Sequence, residues 1–208
     1  MRCMMSQFFS IHPKNPQSRL IDQSIKIIKK SGLFIFPTDS SYAIGCKLGE
    51  KKTLDRIRTI RELDKEHNFT LMCQDLSELS VYAKVNNQSY RLIKANTPGP
   101  FTFILNATAE VPRRLLHQKR KTIGLRVPEN PIISAILKTL GEPIMSVSLL
   151  MPRDSYPLAD PHEIRIKLEH AVDLIIDGGH CGEGLTTIVD LSSSYPEIIR
   201  QGIGDLRA

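Results

Sequence analysis

Tryptophan is absent, and phenylalanine and tyrosine bring the aromatic share to only 6%. That shortage argues against a protein that grips single-stranded nucleic acid by stacking bases on rings. Cysteine is scarce as well. Cys3, Cys46, Cys73 and Cys181 lie far apart and make no C-x-x-C pair, so the spacing of a zinc cluster is missing. Cys46 and Cys73 sit at strand ends among apolar neighbours and are expected to be reduced, half-buried thiols. Cys181, between His180 and Gly182, is expected to be more exposed. No apolar run approaches the roughly 18 to 20 residues that a membrane span needs. "MRCMMSQFFSIHPKNPQ" lacks the apolar core and small-residue cleavage site of a signal peptide, and a cytoplasmic location is expected. No G-x-x-x-x-G-K-[ST] occurs, no Rossmann fingerprint follows the first strand, and neither G-x-S-x-G nor H-E-x-x-H is present. P-loop, dinucleotide, serine-elbow and zincin chemistries are thereby set aside.

What is present is a soluble composition, 41% hydrophobic and 24% charged, with a net charge of +6 that is unevenly spread. "PRRLLHQKRK" (112–121) holds Arg113, Arg114, Lys119, Arg120 and Lys121 without an acid. "DRIRTIRELDK" (55–65) adds Arg56, Arg58, Arg61 and Lys65 among three acids. Such segments suit a phosphate-bearing partner, by a salt-dependent term. Helical and strand patterns alternate along the chain. "SRLIDQSIKIIKKSG" is an amphipathic helix with Ser18 as its expected cap and Gly32 as its stop. Thr53 is the expected cap of "LDRIRTIREL". Pro131 opens and Gly141 closes "PIISAILKTLG". "LFIF", "FTLMC", "FTFILNAT", "TIGLRVP", "IMSVSLLM", "VDLIIDGG", "TTIVDL" and "EIIRQG" read as strands. The expected fold is a single α/β domain with one twisted open mixed sheet.

Polar side chains gather where strands end. After "FIF", Pro37 stops the run and Thr38, Asp39, Ser40, Ser41 and Tyr42 follow together. In open α/β sheets ligands collect at such carboxyl ends. Arg126 sits inside an apolar strand, where a buried guanidinium requires an anion. Ser146 and Ser148 alternate and therefore share one sheet face. Thr186 and Thr187 follow the glycine-rich "DGGHCGEGL", and Arg200 ends the last strand. Among the histidines, His67 beside Asn68 is the candidate participant. Hydroxyls with arginines suit carboxylate and phosphate, and no nucleophile–base pair is visible.

These segments resemble the YrdC-like family in the family's own order. "PTDSSYAIGC" is similar to its P-T-[DE]-[ST]-x-[YF]-x-[LIV]-G signature, and "TPGPFTFIL" to its P-G-P-x-T stretch. "TIGLRVPENP" resembles R-x-P-x-[HN]-P, "TTIVDL" resembles [ST]-T-[IV]-[VI]-D, and "IIRQGIG" resembles the terminal arginine–glycine segment. Agreement spans about residues 10–204, which the resemblance makes one YrdC-like domain. Full members make threonylcarbamoyl-AMP from threonine, bicarbonate and ATP for tRNA modification. The resemblance implies a concave basic face and a site for ATP or an acyl-adenylate. Thr38, Tyr42, Arg126 and Thr186 would hold a threonine-like substrate. Ser40, Arg61, Ser146, Ser148 and Arg200 would face the nucleotide, with Arg61, Ser146 and Ser148 carrying catalysis. No dedicated metal is implied; Mg²⁺ would arrive with ATP.

Two departures bear on activity. The synthases' K-x-R corresponds here to Thr59–Ile60–Arg61, and their S-x-N to Ser146–Val147–Ser148. With "EVPRRLLHQKRKTIGLRVPENP", these are similar to the YciO branch of the family and imply a reduced or altered synthase activity. The alternative is a module that binds double-stranded RNA or tRNA without turnover. Arg56, Arg58, Arg113, Arg114, Lys119, Arg120 and Lys121 would then read A-form shape and phosphates.

Overall fold

The computed structural model describes residues 5–64, 67–112, 115–116, 119–182, 184–193 and 195–207. The first half of the chain runs β1 (Gln7–Ser10), α1 (Ser18–Lys29), β2 (Phe34–Phe36), β3 (Ala43–Lys47), α2 (Lys51–Arg61), β4 (Thr70–Met72), α3 (Leu76–Tyr82) and α4 (Asn87–Asn96). The second half runs β5 (Phe101–Asn106), β6 (Thr122–Arg126), α5 (Pro131–Leu140), β7 (Ile144–Ser148), α6 (Pro161–Leu168), β8 (Leu174–Asp177), β9 (Thr187–Asp190) and β10 (Glu197–Arg200). All ten strands join one sheet in the order β1-β8-β2-β3-β7-β4-β6-β5-β9-β10. Parallel pairs (β1/β8, β2/β8, β4/β6, β5/β9) mix with antiparallel ones, which is the open mixed α/β sheet expected.

Helix signals in the sequence hold with three corrections, one being that Ser31 (φ 63°) and not Gly32 takes the left-handed turn after α1. Ile21, Ile25 and Ile28 of α1 are buried on one stripe, yet Ser18 is its first helical residue and Gln17 precedes it without a side-chain cap. Thr53 lies inside α2, and its hydroxyl donates to the Ser31 carbonyl at 2.8 Å; Glu50 stands at the cap position. α5 has its cap in Asn130, whose carboxamide oxygen accepts from the backbone of Ile132 and Ile133. Gly141 ends it at φ 73°, a left-handed conformation that glycine adopts without strain. α2 ends on Arg61 because Glu62 turns left-handed (φ 48°) and Leu63 N–H closes on the Arg58 carbonyl.

The two faces of the sheet are covered unequally. α2, α3, α4 and α6 bury Leu54, Ile57, Leu79, Ile93, Ile164 and Leu168 against one face in the larger core. On the other face α1 and α5 cover β8, β2 and β3, packing Ile25, Ile28, Ile133 and Ile136 on Phe34, Phe36 and Leu174. The register shows which side chains occupy the remainder of that second face, since directly opposed residues share a face. Phe34 opposes Gly45, Gly45 opposes Ser146, Ser146 opposes Thr70, and Thr70 opposes Gly124. One row over, Met72 opposes Arg126, and Thr102 opposes Ile188, which opposes Arg200. The polar residues therefore occupy the stretch of this face that α1 and α5 leave open. No described helix is long and apolar enough to cross a membrane.

Candidate functional site

Pro37 ends β2, and Thr38 folds the next residues into a tight turn. Its hydroxyl donates to the Ser41 carbonyl at 2.6 Å and accepts from the backbone N–H of Ser40 (3.2 Å) and Ser41 (3.3 Å). The turn aims Asp39 and Ser40 at Arg126 on β6. Arg126 Nη2 donates to Asp39 Oδ1 and to Ser40 Oγ at 3.0 Å. Both ends of the ion pair are nearly dry, at 4% side-chain exposure for Arg126 and 10% for Asp39. The anion that a buried guanidinium requires is thus supplied by the protein itself. Arg126 Nε remains buried without a hydrogen-bond partner. Burial pulls the Arg126 pKa below its ordinary value, against the opposing carboxylate.

Two more guanidinium groups complete a cleft of about 220 Å³ over Thr70 and Ser146. Arg200, at the end of β10, donates through Nε (3.1 Å) and Nη2 (2.9 Å) to the Thr186 carbonyl. Thr186 Oγ1 lies 3.0 Å from Thr102 Oγ1. Arg61, at the end of α2, donates through Nε to the Ser148 carbonyl at 3.0 Å. Burial lowers the pKa of both arginines. The described lining carries three arginines and several hydroxyls and no carboxylate. Its chemistry is that of an anion receptor, with the donors of Arg61 and Arg200 oriented by backbone carbonyls.

Of the residues expected from sequence, Thr38, Arg61, Arg126, Ser146, Ser148, Thr186 and Arg200 all line this one cleft. Two do not. Tyr42 is fully buried in the larger core, on the far side of the sheet. Its hydroxyl donates to the Gly179 carbonyl (2.8 Å) and accepts from Gly178 N–H (3.1 Å), so it holds the glycine-rich loop instead of a ligand. Burial pushes its pKa up. Ser40 lies behind the lining, engaged with Arg126 and Thr38. The loop and the turn meet closely because residue 182 is glycine: a Cβ there would come within 2.8 Å of the Ser40 carbonyl oxygen. Ser41, named with the polar turn but given no role, also lines the cleft, as do Thr70 and Thr102, to which the motifs assign no role. For Thr70 and Thr102 a signal existed, since each is the polar member of an alternating strand on the arginine's face.

The expected RNA-facing cations separate. Arg113 and Arg114 lie outside the described residues. Arg56 pairs with Asp173 at 2.6 Å beside β8, whereas Arg120 stands 3.6 Å from Asp190 on β9. Those strands are second and ninth in the sheet order. Arg58 pairs with Asp55, and Lys119, Arg120 and Lys121 are exposed. Cys46 and Cys73 are free and fully buried, further in than half-buried thiols. Cys181 is partly buried and its pKa is pushed up to about 11, by burial first and by Asp39, against a backbone hydrogen bond from Thr38. A thiol so protonated is a poor nucleophile. Alkylation of Cys181 at neutral pH, followed by mass spectrometry, is expected to run about 100-fold slower than that of an unperturbed cysteine, because the thiolate reacts.

An open mixed α/β sheet, with helices on one face and α1 and α5 over part of the other, and with a basic hydroxyl-lined hollow beside them, defines an α/β protein with a candidate anion site. The chain belongs to the Sua5_yciO_yrdC family, whose profile bears the description "Telomere recombination" and matches residues 26–202. Uncharacterized protein YciO of Escherichia coli (strain K12) is 56% identical over 203 residues, 98% of each chain. The crystal structure of E. coli YciO superposes with a TM-score of 0.94 over 97% of this chain and 98% of that one. A threonylcarbamoyl-AMP synthase of Vibrio vulnificus (strain YJ016) is 24% identical over 131 residues, 62% of this chain and 70% of its own. P. abyssi Sua5, crystallised with L-threonine, shares the fold at a TM-score of 0.87 and 22% identity, over 95% of this chain and 58% of that one.

Proposed function

We propose that this chain binds ATP or an acyl-adenylate of the threonylcarbamoyl-AMP type, with a synthase activity reduced by Thr59 and Ser148. The observation that carries the reading is the convergence of Arg61, Arg126 and Arg200 on one hydroxyl-lined cleft without a carboxylate. The relation to a threonylcarbamoyl-AMP synthase and the fold shared with a threonine-bound Sua5 support it. Thr38, Arg126 and Thr186 face the threonine-like acyl end; Arg61, Ser146, Ser148 and Arg200 face the adenylate. At about 220 Å³ the hollow is smaller than pockets that enclose a drug-sized ligand, roughly 300–1,000 Å³. It therefore takes the acyl–phosphate junction, and the nucleoside lies along the open sheet. Chemistry here is proximity and charge stabilisation of an acyl transfer to or from phosphate, with no covalent enzyme intermediate. Mg²⁺ enters on the phosphates of ATP, since the cleft offers it hydroxyl and carbonyl oxygens and no carboxylate cage.

Calorimetry at low salt, with ATP plus threonine and with a non-hydrolysable threonylcarbamoyl-adenylate analogue, tests the reading. Binding heat is expected for both. Arg61→Ala and Arg200→Ala are each expected to weaken the analogue roughly 10- to 150-fold, the equivalent of one charge-assisted hydrogen bond at about 1.5–3 kcal/mol. Absence of heat with the wild-type protein ends the proposal.

A further inference from the structure

The sheet carries a second crevice, beyond the ends of β4 and β6. These neighbours run parallel, with Thr70, Leu71 and Met72 opposite Gly124, Leu125 and Arg126. Their connections then part. β4 leads into α3, whose Leu79 packs in the larger core, and β6 leads into α5, whose Ile132 and Ile133 pack in the other. Adjacent parallel strands whose connections leave for opposite faces open a gap at their carboxyl ends, the place where open α/β sheets take ligands. Here the gap is a crevice of about 620 Å³, within the roughly 300–1,000 Å³ of small-molecule sites. It shares no lining residue with the arginine cleft. Arg126 marks the boundary: it lines the cleft, and Val127, the next residue, lines the crevice.

The crevice is built in advance of any ligand. Cys73 N–H donates to the Arg126 carbonyl (2.8 Å), Gly99 N–H to the Val127 carbonyl (3.0 Å) and Gln74 N–H to Glu78 Oε2 (2.6 Å). Val127 and Pro128 are buried in its lining, and Leu76, Pro98 and Pro131 extend the apolar surface. Two exposed charges of opposite sign stand on the same lining: Lys94, in the last turn of α4, and Glu129, just ahead of α5. Among the described residues neither side chain has an ion-pair or hydrogen-bond partner. Glu129 spends only its backbone N–H, on Asp39 Oδ2. The other carboxylate of the lining, Asp75, has Oδ1 engaged by Glu78 N–H. An uncommitted ammonium and an uncommitted carboxylate beside an apolar surface complement a molecule that carries a carboxylate, an ammonium and an apolar body.

We propose that this crevice binds a small apolar zwitterion, with the ligand's carboxylate on Lys94, its ammonium on Glu129 and its apolar body on Val127 and Pro128. Free apolar amino acids and short apolar peptides share that chemistry and differ in the distance between their charges.

The test is NMR of the isotope-labelled chain, titrated into the millimolar range with L-leucine and with L-leucyl-L-leucine. Amide signals of Gln74, Leu76, Lys94 and Glu129 are expected to move with at least one probe, and the tighter probe names the source as free amino acid or peptide. The N-acetylated and C-amidated forms of that probe each lose one charge. Each is expected to bind roughly 3- to 5-fold more weakly, the size of ion pairs that stay in contact with water. Lys94→Met is expected to erase the preference for a free carboxylate and Glu129→Gln the preference for a free ammonium. Both residues are exposed, so the melting temperatures are expected to be unchanged. Unmoved signals with both probes overturn the site. Equal binding of the blocked forms overturns the zwitterion assignment, and shifts at Thr70, Ser146 and Thr186 instead place the probe in the arginine cleft and overturn the crevice. None of these outcomes depends on nucleotide binding in the cleft.

Discussion

Arg126→Ala is expected to destabilise the protein by about 3–5 kcal/mol, because it strands a nearly buried carboxylate. Asp39 keeps only 10% of its side-chain surface exposed, and Arg126 is its ion-pair partner. Without the guanidinium, Asp39 Oδ2 retains the long 3.2 Å bond from Glu129 N–H, and Oδ1 loses its ion pair. Thr38 and Ser40 lose a donor as well. For a chain of this length the loss corresponds to a fall of roughly 6–20 °C in melting temperature. Asp39→Asn is expected to cost a comparable amount, since it leaves the guanidinium unpaired. The paired replacement Arg126→Met with Asp39→Asn is expected to recover much of the loss, because neutral partners carry no charge to desolvate. Chemical denaturation of the three variants checks the order. A double variant no better than the worse single one would show that the pair contributes shape instead of charge.

Thr59→Lys combined with Ser148→Asn is expected to raise threonylcarbamoyl-AMP synthesis by roughly 100- to 1000-fold, the 2.7–4 kcal/mol carried by one preorganised donor at a developing charge. The geometry admits both changes. Ser148 lines the cleft and is half-buried, so a carboxamide extends into open space. Thr59 is exposed on α2, and its hydroxyl only donates back to the Asp55 carbonyl at 3.0 Å. A lysine there disturbs no packing, and on the proposed synthase reading its ammonium is the charge that the leaving pyrophosphate requires. Complementation of a strain lacking its synthase reads the outcome: growth with the double variant and weak or no growth with the wild-type chain. Intact nucleotide binding without a gain in synthesis would show that the end of α2, fixed by the left-handed Glu62, directs position 59 away from the phosphates.

The elements most legible in the sequence carry their own start and stop chemistry. α5 is the clearest: Asn130, Pro131 and Gly141 mark its ends, and its apolar residues recur at helical spacing. β3 carries a weak strand signal because of Ala43 and Gly45, and its place comes from pairing with β2 on one side and β7 on the other. β1 is four residues long and gains its strand character only from the edge of β8. The same limit applied to the cleft. Arg126 was recognisable as a charge in an apolar strand, whereas its partner was not, since Asp39 is 87 residues away. Tyr42 follows the polar turn directly, yet the alternation of side chains sends it through the sheet into the opposite core.

By itself the sequence determined the open α/β class, most of the helices and strands, and most of the polar side chains that meet in the cleft, because periodicity, capping and strand-end chemistry are local. Only the tertiary structure decided which arginine is already neutralised, which hydroxyl is spent on a loop, and that His67 lines the same cleft as Arg61. Those outcomes depend on strand register and sheet order, which bring together residues far apart in the chain and are set by the burial of whole faces.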